Sequence, residues 1–172
     1  MTTGNRHVFK SCPHCRTPMA WRHEGGVERP ACPDCGFVQY LNPAPGAGVI
    51  ILRDGRVCLV RRKFEPKQGQ WSLPTGFMEW DEDVELTARR EALEETGLEV
   101  DLTSLYAVES GILPPDIPVL VVFYRAEEVG GTLQAGDDAS EVGFFAMGDW
   151  PGPIAFAAHR RVLARLAADL EN

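Results

Sequence analysis

The sequence contains no apolar run approaching the roughly 20 residues a helix needs to cross a bilayer, which argues against a membrane-spanning protein. Its first residues, MTTGNRHVFKSC, lack the apolar centre of a secretory signal, so a cytoplasmic protein is expected. Positive charge is not in excess either. Seventeen Lys and Arg stand against 25 Asp and Glu, a formal net charge of −8, whereas a general nucleic-acid binder needs a basic surface for its phosphate contacts. This balance does not exclude a phosphorylated small molecule as partner, because a metal ion can supply positive charge locally. The sequence shows no internal repeat and no low-complexity stretch beyond the breaker-rich segment at 42–46. With 172 residues, 44% hydrophobic and 24% charged, the chain has the composition of one globular domain, with room for a small appendage.

Cysteine is scarce but not scattered. Four of the five form two pairs, Cys12-Pro-His-Cys15 and Cys32-Pro-Asp-Cys35, with sixteen residues between them. Each Cys-x-x-Cys turn presents two thiolates to one tetrahedral ion, and two such turns complete a structural zinc site. Two disulfides are the alternative, which a reducing compartment disfavours. A thioredoxin-like redox motif uses one pair rather than two. Residues 1–45 carry too few apolar side chains for a core of their own, so zinc would supply most of their folding free energy. Asn42-Pro43-Ala44-Pro45-Gly46 is rich in structure breakers. It sets the expected division into a zinc ribbon, 1–45, and a larger α/β domain, 46–172.

The larger part opens with a hairpin signal: Val49–Leu52 and Val57–Val60 flank Asp54-Gly55. Cys58 reads as a small buried hydrophobe. Arg61, Arg62 and Lys63 follow, either a solvated strand end or a phosphate contact. Trp71–Gly76 is a short strand ending in a turn. Ile117–Glu127 and Val142–Met147 read as strands, with glycine-marked loops at Gly130, Gly131 and 136–138. Phe156, His159, Leu163, Leu166 and Leu170 recur at helical spacing, and His159 on that face reads as a packed, hydrogen-bonded histidine.

The chemistry concentrates between Gly76 and Leu98. From Glu79 to Glu99 there are nine acidic residues and only two basic ones, Arg89 and Arg90. A helix is expected from about Asp83 to Thr96, stopped by Gly97. On it Glu91, Glu94 and Glu95 stand at i, i+3 and i+4 and share about a third of the circumference. Three like charges on one face call for a counter-charge. Clustered carboxylate oxygens suit a hard cation such as Mg²⁺ or Mn²⁺. Ala88 and Ala92, one turn apart, let this helix approach a sheet closely, and Leu86 and Leu93 lie away from the glutamates.

This stretch resembles the Nudix box, Gly-x5-Glu-x7-Arg-Glu-U-x-Glu-Glu-x-Gly-U with U a bulky aliphatic residue. Gly76, Glu82, Arg90, Glu91, Glu94, Glu95, Gly97 and Leu98 match. Ala92 is smaller than the usual first U, and Thr75 and Asp81 stand where many members have glycine. The resemblance implies a Nudix fold, a mixed β-sheet between helices, here preceded by a zinc ribbon. It also implies metal-dependent hydrolysis of a nucleoside diphosphate linked to another group. Carried over, Glu91 and Glu95 are the principal ligands of Mg²⁺ or Mn²⁺, and Glu94 binds directly or through water and takes part in catalysis. Arg90 orients the carboxylates and Glu82 assists. Members often supply a further glutamate as general base from outside the box. Glu141 is the best match, with Glu109 and Asp138 as competitors.

The four cysteines narrow the resemblance. Zinc-ribbon members acting on NADH carry a Ser-Gln-Pro-Trp-Pro-Phe-Pro motif after the box, which is absent after Leu98. A second zinc-ribbon group looks closer, through Tyr40-Leu41-Asn42-Pro43, Gly69–Pro74 and Ile154-Ala155-Phe156, and includes ADP-ribose and FAD pyrophosphatases. Trp71, Phe77, Trp80 and Phe123 are candidates to stack an adenine or flavin ring, though each also reads as packing. Other readings stay open: a nucleoside triphosphate, NAD(H) or capped RNA as substrate, or a non-catalytic zinc-ribbon binding module. By analogy with members acting on dinucleotides, a homodimer is one assembly the resemblance carries.

Overall fold

A computed structural model of the chain describes residues 8–171, and the chain divides into two compact units between Pro43 and Ala44. The division falls two residues before the expected one because the backbone at Ala44 and Pro45 is already paired, opposite Val119 and Leu120. Proline is tolerated there because it lies at the start of the strand, where one missing donor costs little.

In the first unit, β1 (Ala20–Glu24) and β2 (Val27–Ala31) form an antiparallel hairpin with Ala20 opposite Ala31. A cysteine turn lies on each side of it. Arg16 at φ 65° and Gly36 at φ 78° close these turns, donating to the carbonyls of Cys12 at 2.8 Å and Cys32 at 3.2 Å.

In the second unit a seven-stranded sheet runs in the order β5 (Trp71–Ser72), β4 (Arg56–Arg62), β3 (Ala44–Arg53), β8 (Ile117–Gly131), β7 (Leu98–Leu113). The short β6 (Thr75–Phe77) pairs with β3, and β9 (Ala139–Ala146) pairs with β4. Only β3 and β8 run parallel among these pairs, so the sheet is mixed. Helix α1 (Val84–Thr96) covers one face and α2 (Ala157–Leu170) the other. Alternation along β3 makes the two cores: Val49 and Ile51 pack with Ala88 and Ala92 of α1, while Ile50 packs with Val162, Leu163 and Leu166 of α2. Burial of Cys58 on the α1 side pushes its thiol up to about 12, consistent with a packing role.

The expected hairpin forms around Asp54 and Gly55, both at positive φ. Helix α1 is capped where the sequence places it: the Asp83 carboxylate accepts from Leu86 N at 2.7 Å, and Gly97 at φ 72° donates to Leu93 O. A Cβ on Gly97 would overlap the carbonyl of Thr132. Leu86 and Leu93 are about half exposed, so the helix buries its alanines rather than a second leucine flank. Two differences concern strands. The sixteen-residue β7 follows the box directly, although its sequence alternates imperfectly and is broken by bulges. Strand β8 continues through Gly130 and Gly131, which sit opposite Glu99 and Leu98 rather than in a loop.

Candidate active site

Arg90 organises the acidic stretch. Its Nε and Nη2 form a fork on Glu82, at 2.6 and 2.9 Å, and Nη2 also donates to Phe77 O at 2.9 Å. Its Nη1 bridges Glu91 Oε1 at 2.7 Å and Glu94 Oε2 at 2.9 Å. A guanidinium has five N–H donors, and these five bonds use them all. The fork and two further hydrogen bonds, from Glu79 N and Thr87 Oγ1, hold the Glu82 carboxyl down to about 2. Glu82 is therefore an anchor for Arg90 at the pH of any living compartment.

Glu91 and Glu95 lie deeper, 9% and 5% exposed. Burial is the main cause that raises both carboxyls, Glu95 up to about 8. Glu95 receives one hydrogen bond, from Thr75 N at 2.9 Å, and Arg90 has no donor left for it. Gly76 is required beside Glu91, because a Cβ there would overlap the Glu91 carboxylate. Arg90 reaches two of the three carboxylates, and burial disfavours charge on Glu91 and Glu95 unless a cation sits beside them. A hard divalent cation fits this oxygen donor set.

These groups form one end of a cavity of about 440 Å³, within the usual range for small-ligand sites. Asp138 and Asp137 line the same end, and backbone hydrogen bonds from Gln134 to Thr96 and from Gly136 to Glu95 tie their loop to the end of α1. The other end is apolar, lined by Ile112, Leu113, Val119, Val121 and Phe156. Arg62 stands between, its Nε on Pro66 O at 2.8 Å and its guanidinium 5.0 Å from the centre of the Phe156 ring.

Other expected groups are placed elsewhere. Glu141 does not line the cavity; it sits opposite Arg61 on the β4–β9 ladder and pairs with its guanidinium at 2.5 Å. Glu109 pairs with Arg161 at 2.6 Å, also outside the cavity. Lys63 reaches Asp137 O rather than the cavity. Of the four candidate aromatics only Phe77 lines it. Trp71 packs edge-on against Phe145, Phe123 is fully buried, and Trp80 is 94% exposed. Phe156 and the β7–β8 aliphatics were missed. Their signal, apolar residues beside a Pro-rich turn and at a helix start, has no fixed spacing to the box.

In the ribbon the four cysteine sulfurs all lie within 4.8 Å of one another, with 3.6 Å between Cys12 and Cys35 and 3.4 Å between Cys15 and Cys32. All four are free thiols. A tetrahedral zinc with Zn–S of about 2.3 Å has S···S edges of about 3.8 Å, so the donor set fits that ion. Amides of His14 and Cys35 point at Cys12 and Cys32 sulfur, each at 3.4 Å.

The family profile described as NUDIX domain matches residues 42–166. The chain belongs to the Nudix hydrolase family. A Nudix hydrolase from Nitrosomonas europaea has a structure superposing with a TM-score of 0.81 at 31% identity, over 95% of this chain and 93% of that one. An ADP-ribose pyrophosphatase of Methanocaldococcus jannaschii is 40% identical over 115 residues, 65% of this chain and 67% of that protein. An NAD-capped RNA hydrolase, NudC, of Chromobacterium violaceum is 32% identical over 167 residues, 95% of this chain but 60% of that protein. The chain spans 67% and 60% of the length of these two curated relatives. No described helix is long and apolar enough to cross a membrane.

Proposed function

We propose that this protein hydrolyses the pyrophosphate bond of a nucleoside diphosphate-linked small molecule, with ADP-ribose first and FAD second. One observation carries the reading: a single cavity joins a carboxylate cluster of the Nudix box to an apolar wall ending in an aromatic ring. A diphosphate with its cation suits the first end and a heteroaromatic base the second.

Glu91, Glu94 and Glu95 would hold Mg²⁺ or Mn²⁺. Bound there, the cation neutralises diphosphate charge and lowers the pKa of a coordinated water. The rest falls to the chain's own groups. Arg90 fixes the orientation of Glu91 and Glu94, Glu82 fixes Arg90, and Thr75 N fixes Glu95. Asp138 is better placed than Glu141 to accept the proton of the attacking water, because it lines the cavity while Glu141 is engaged by Arg61. Water oxygen adds to one phosphorus and the bridging P–O bond breaks. From ADP-ribose the products are AMP and ribose 5-phosphate. Cys12, Cys15, Cys32 and Cys35 would hold a structural zinc, and four unpaired thiols suit a reducing compartment such as the cytoplasm.

The test is product identification with ADP-ribose, FAD, NADH, a nucleoside triphosphate and NAD-capped RNA, each with Mg²⁺ or Mn²⁺. AMP released from ADP-ribose at the highest kcat/KM is the expected result. Preferential release of pyrophosphate from the triphosphate would overturn it. Capped RNA is the second reading, favoured by the long NudC match, and the same panel decides between them.

A further inference from the structure

His159, in the first turn of α2, is a polar side chain that the reaction above does not use. It is 4% exposed and lines the cavity. Its Nδ1 lies 3.2 Å from Leu73 N. A backbone amide can only donate, so Nδ1 is the acceptor and the ring proton sits on Nε2. Burial, with Arg62 and Arg160 nearby, drives the imidazole down to about 3, so this tautomer stays neutral. No described residue accepts from Nε2. Nor is Nε2 sealed inside the protein: among the described residues the one buried side-chain polar atom lacking a partner is Asp116 Oδ1. His159 lines the cavity, and with Nδ1 engaged by Leu73 N its Nε2–H is the polar group it has to offer a ligand there.

The rings packed against that imidazole are apolar. The Phe156 ring lies 5.3 Å from the imidazole and Phe123 meets it edge-on at 5.2 Å, while Val119, Val121 and Ile112 line the same cavity. Arg62 holds one face of Phe156 by its guanidinium. Anionic phosphate oxygens have a cation available in Arg62 and a metal site on α1. A neutral donor among aliphatic and aromatic groups matches an uncharged acceptor on a flat ring.

We infer that His159 is the base-reading residue of this site, donating Nε2–H to a ring acceptor of the nucleobase held against Phe156 and the β7–β8 aliphatics. This rests on the reading of the substrate as a nucleoside diphosphate derivative and adds which group recognises the base. Leaving such a donor unmatched costs more than losing a solvent-exposed bond, since nothing else is there to accept it.

Two measurements test it. In the first, AMP or ribose 5-phosphate is titrated into imidazole-labelled protein and the His159 Nε2–H resonance is followed. A shift with AMP and none with ribose 5-phosphate is expected. Equal shifts, or none, overturn the inference. In the second, kcat/KM is measured for ADP-ribose and its 1-deaza, 3-deaza and 7-deaza analogues. One analogue is expected to lose about 10- to 100-fold, mainly in KM. His159→Asn keeps an acceptor for Leu73 N but has no atom where Nε2 lies, and it is expected to level parent and analogue. His159→Gln, which reaches the Nε2 position, is expected to restore part of the gap. Parent and all analogues within twofold in the wild type, or a gap unchanged in His159→Asn, would also overturn it. If ADP-ribose is not hydrolysed yet AMP still shifts Nε2–H, the substrate reading fails and the base subsite stands.

Discussion

Arg90 and Glu82 face each other through two parallel hydrogen bonds, Nε to Oε1 at 2.6 Å and Nη2 to Oε2 at 2.9 Å. That fork fixes the guanidinium plane, and the plane in turn sets where Glu91 and Glu94 carboxylates rest. Lysine carries the same charge but cannot form the fork. Arg90→Lys is therefore expected to lower kcat by at least 10-fold, with helicity by circular dichroism unchanged. A variant with wild-type kcat would show that charge alone suffices.

Glu95 is buried with a single amide donor. Glu95→Gln keeps the shape and the neutral form that burial favours without a cation, but cannot become a carboxylate ligand. Turnover is expected to fall by orders of magnitude, while Tm in buffer without added Mg²⁺ or Mn²⁺ stays level or rises. The Tm gain on adding Mg²⁺ to the wild type is expected to shrink in the variant, because a ligand that binds only the folded state stabilises it in proportion to its affinity. Full activity in Glu95→Gln would remove it from the metal set.

Asp138 and Glu141 are three residues apart, yet only Asp138 borders the cavity. Asp138→Asn is predicted to cost about 10²-fold or more in kcat, the usual scale for a general base. Glu141→Gln is predicted to stay within a few fold and to lose only an exposed ion pair worth about 1 kcal/mol or less. The reverse order of effects would return the base to Glu141.

His159 supplies a pH dependence of stability. Its folded value lies near 3 and its unfolded value near 6.5. Above about pH 6.5 both states are neutral and His159 adds no pH dependence. As pH falls from 6.5 towards 3 the unfolded chain takes a proton that the folded state refuses, so stability is lost, about 2 kcal/mol at pH 5. His159→Asn does not titrate there. In urea unfolding, any deficit of His159→Asn against the wild type at pH 7.5 is expected to shrink by about that amount at pH 5. A deficit constant with pH would mean the imidazole is protonated in the fold.

Zinc content is expected at about one ion per chain in protein purified without added zinc. Because the described residues of the ribbon form only a two-stranded hairpin beyond its cysteine turns, Cys32→Ser is predicted to expose residues 8–43 to trypsin while leaving 44–171 resistant. Loss of protection throughout would show that the second unit depends on the ion as well.

Much of this was legible in the residues themselves, wherever the physics is local. The cysteine pairs announce a tetrahedral site because two residues of spacing suffice to aim two sulfurs at one point. Glu91, Glu94 and Glu95 share a face because helix periodicity permits nothing else, and Asp83 and Gly97 bound that helix by backbone chemistry within four residues. The Asp54-Gly55 turn is of the same kind. Tertiary structure decided what depends on chain segments far apart. Glu141 and Asp138 are equivalent as loop acids until β9 pairs with β4 and places Arg61 across from one of them. Phe156, Ile112 and Val121 come from three separate elements, and only the closing of the sheet against α2 makes them one wall. His159 was readable as a packed histidine. That its Nδ1 is engaged, leaving Nε2 to carry the ring proton, follows from the position of Leu73 N, eighty-six residues away in sequence, and no spacing rule reaches that far.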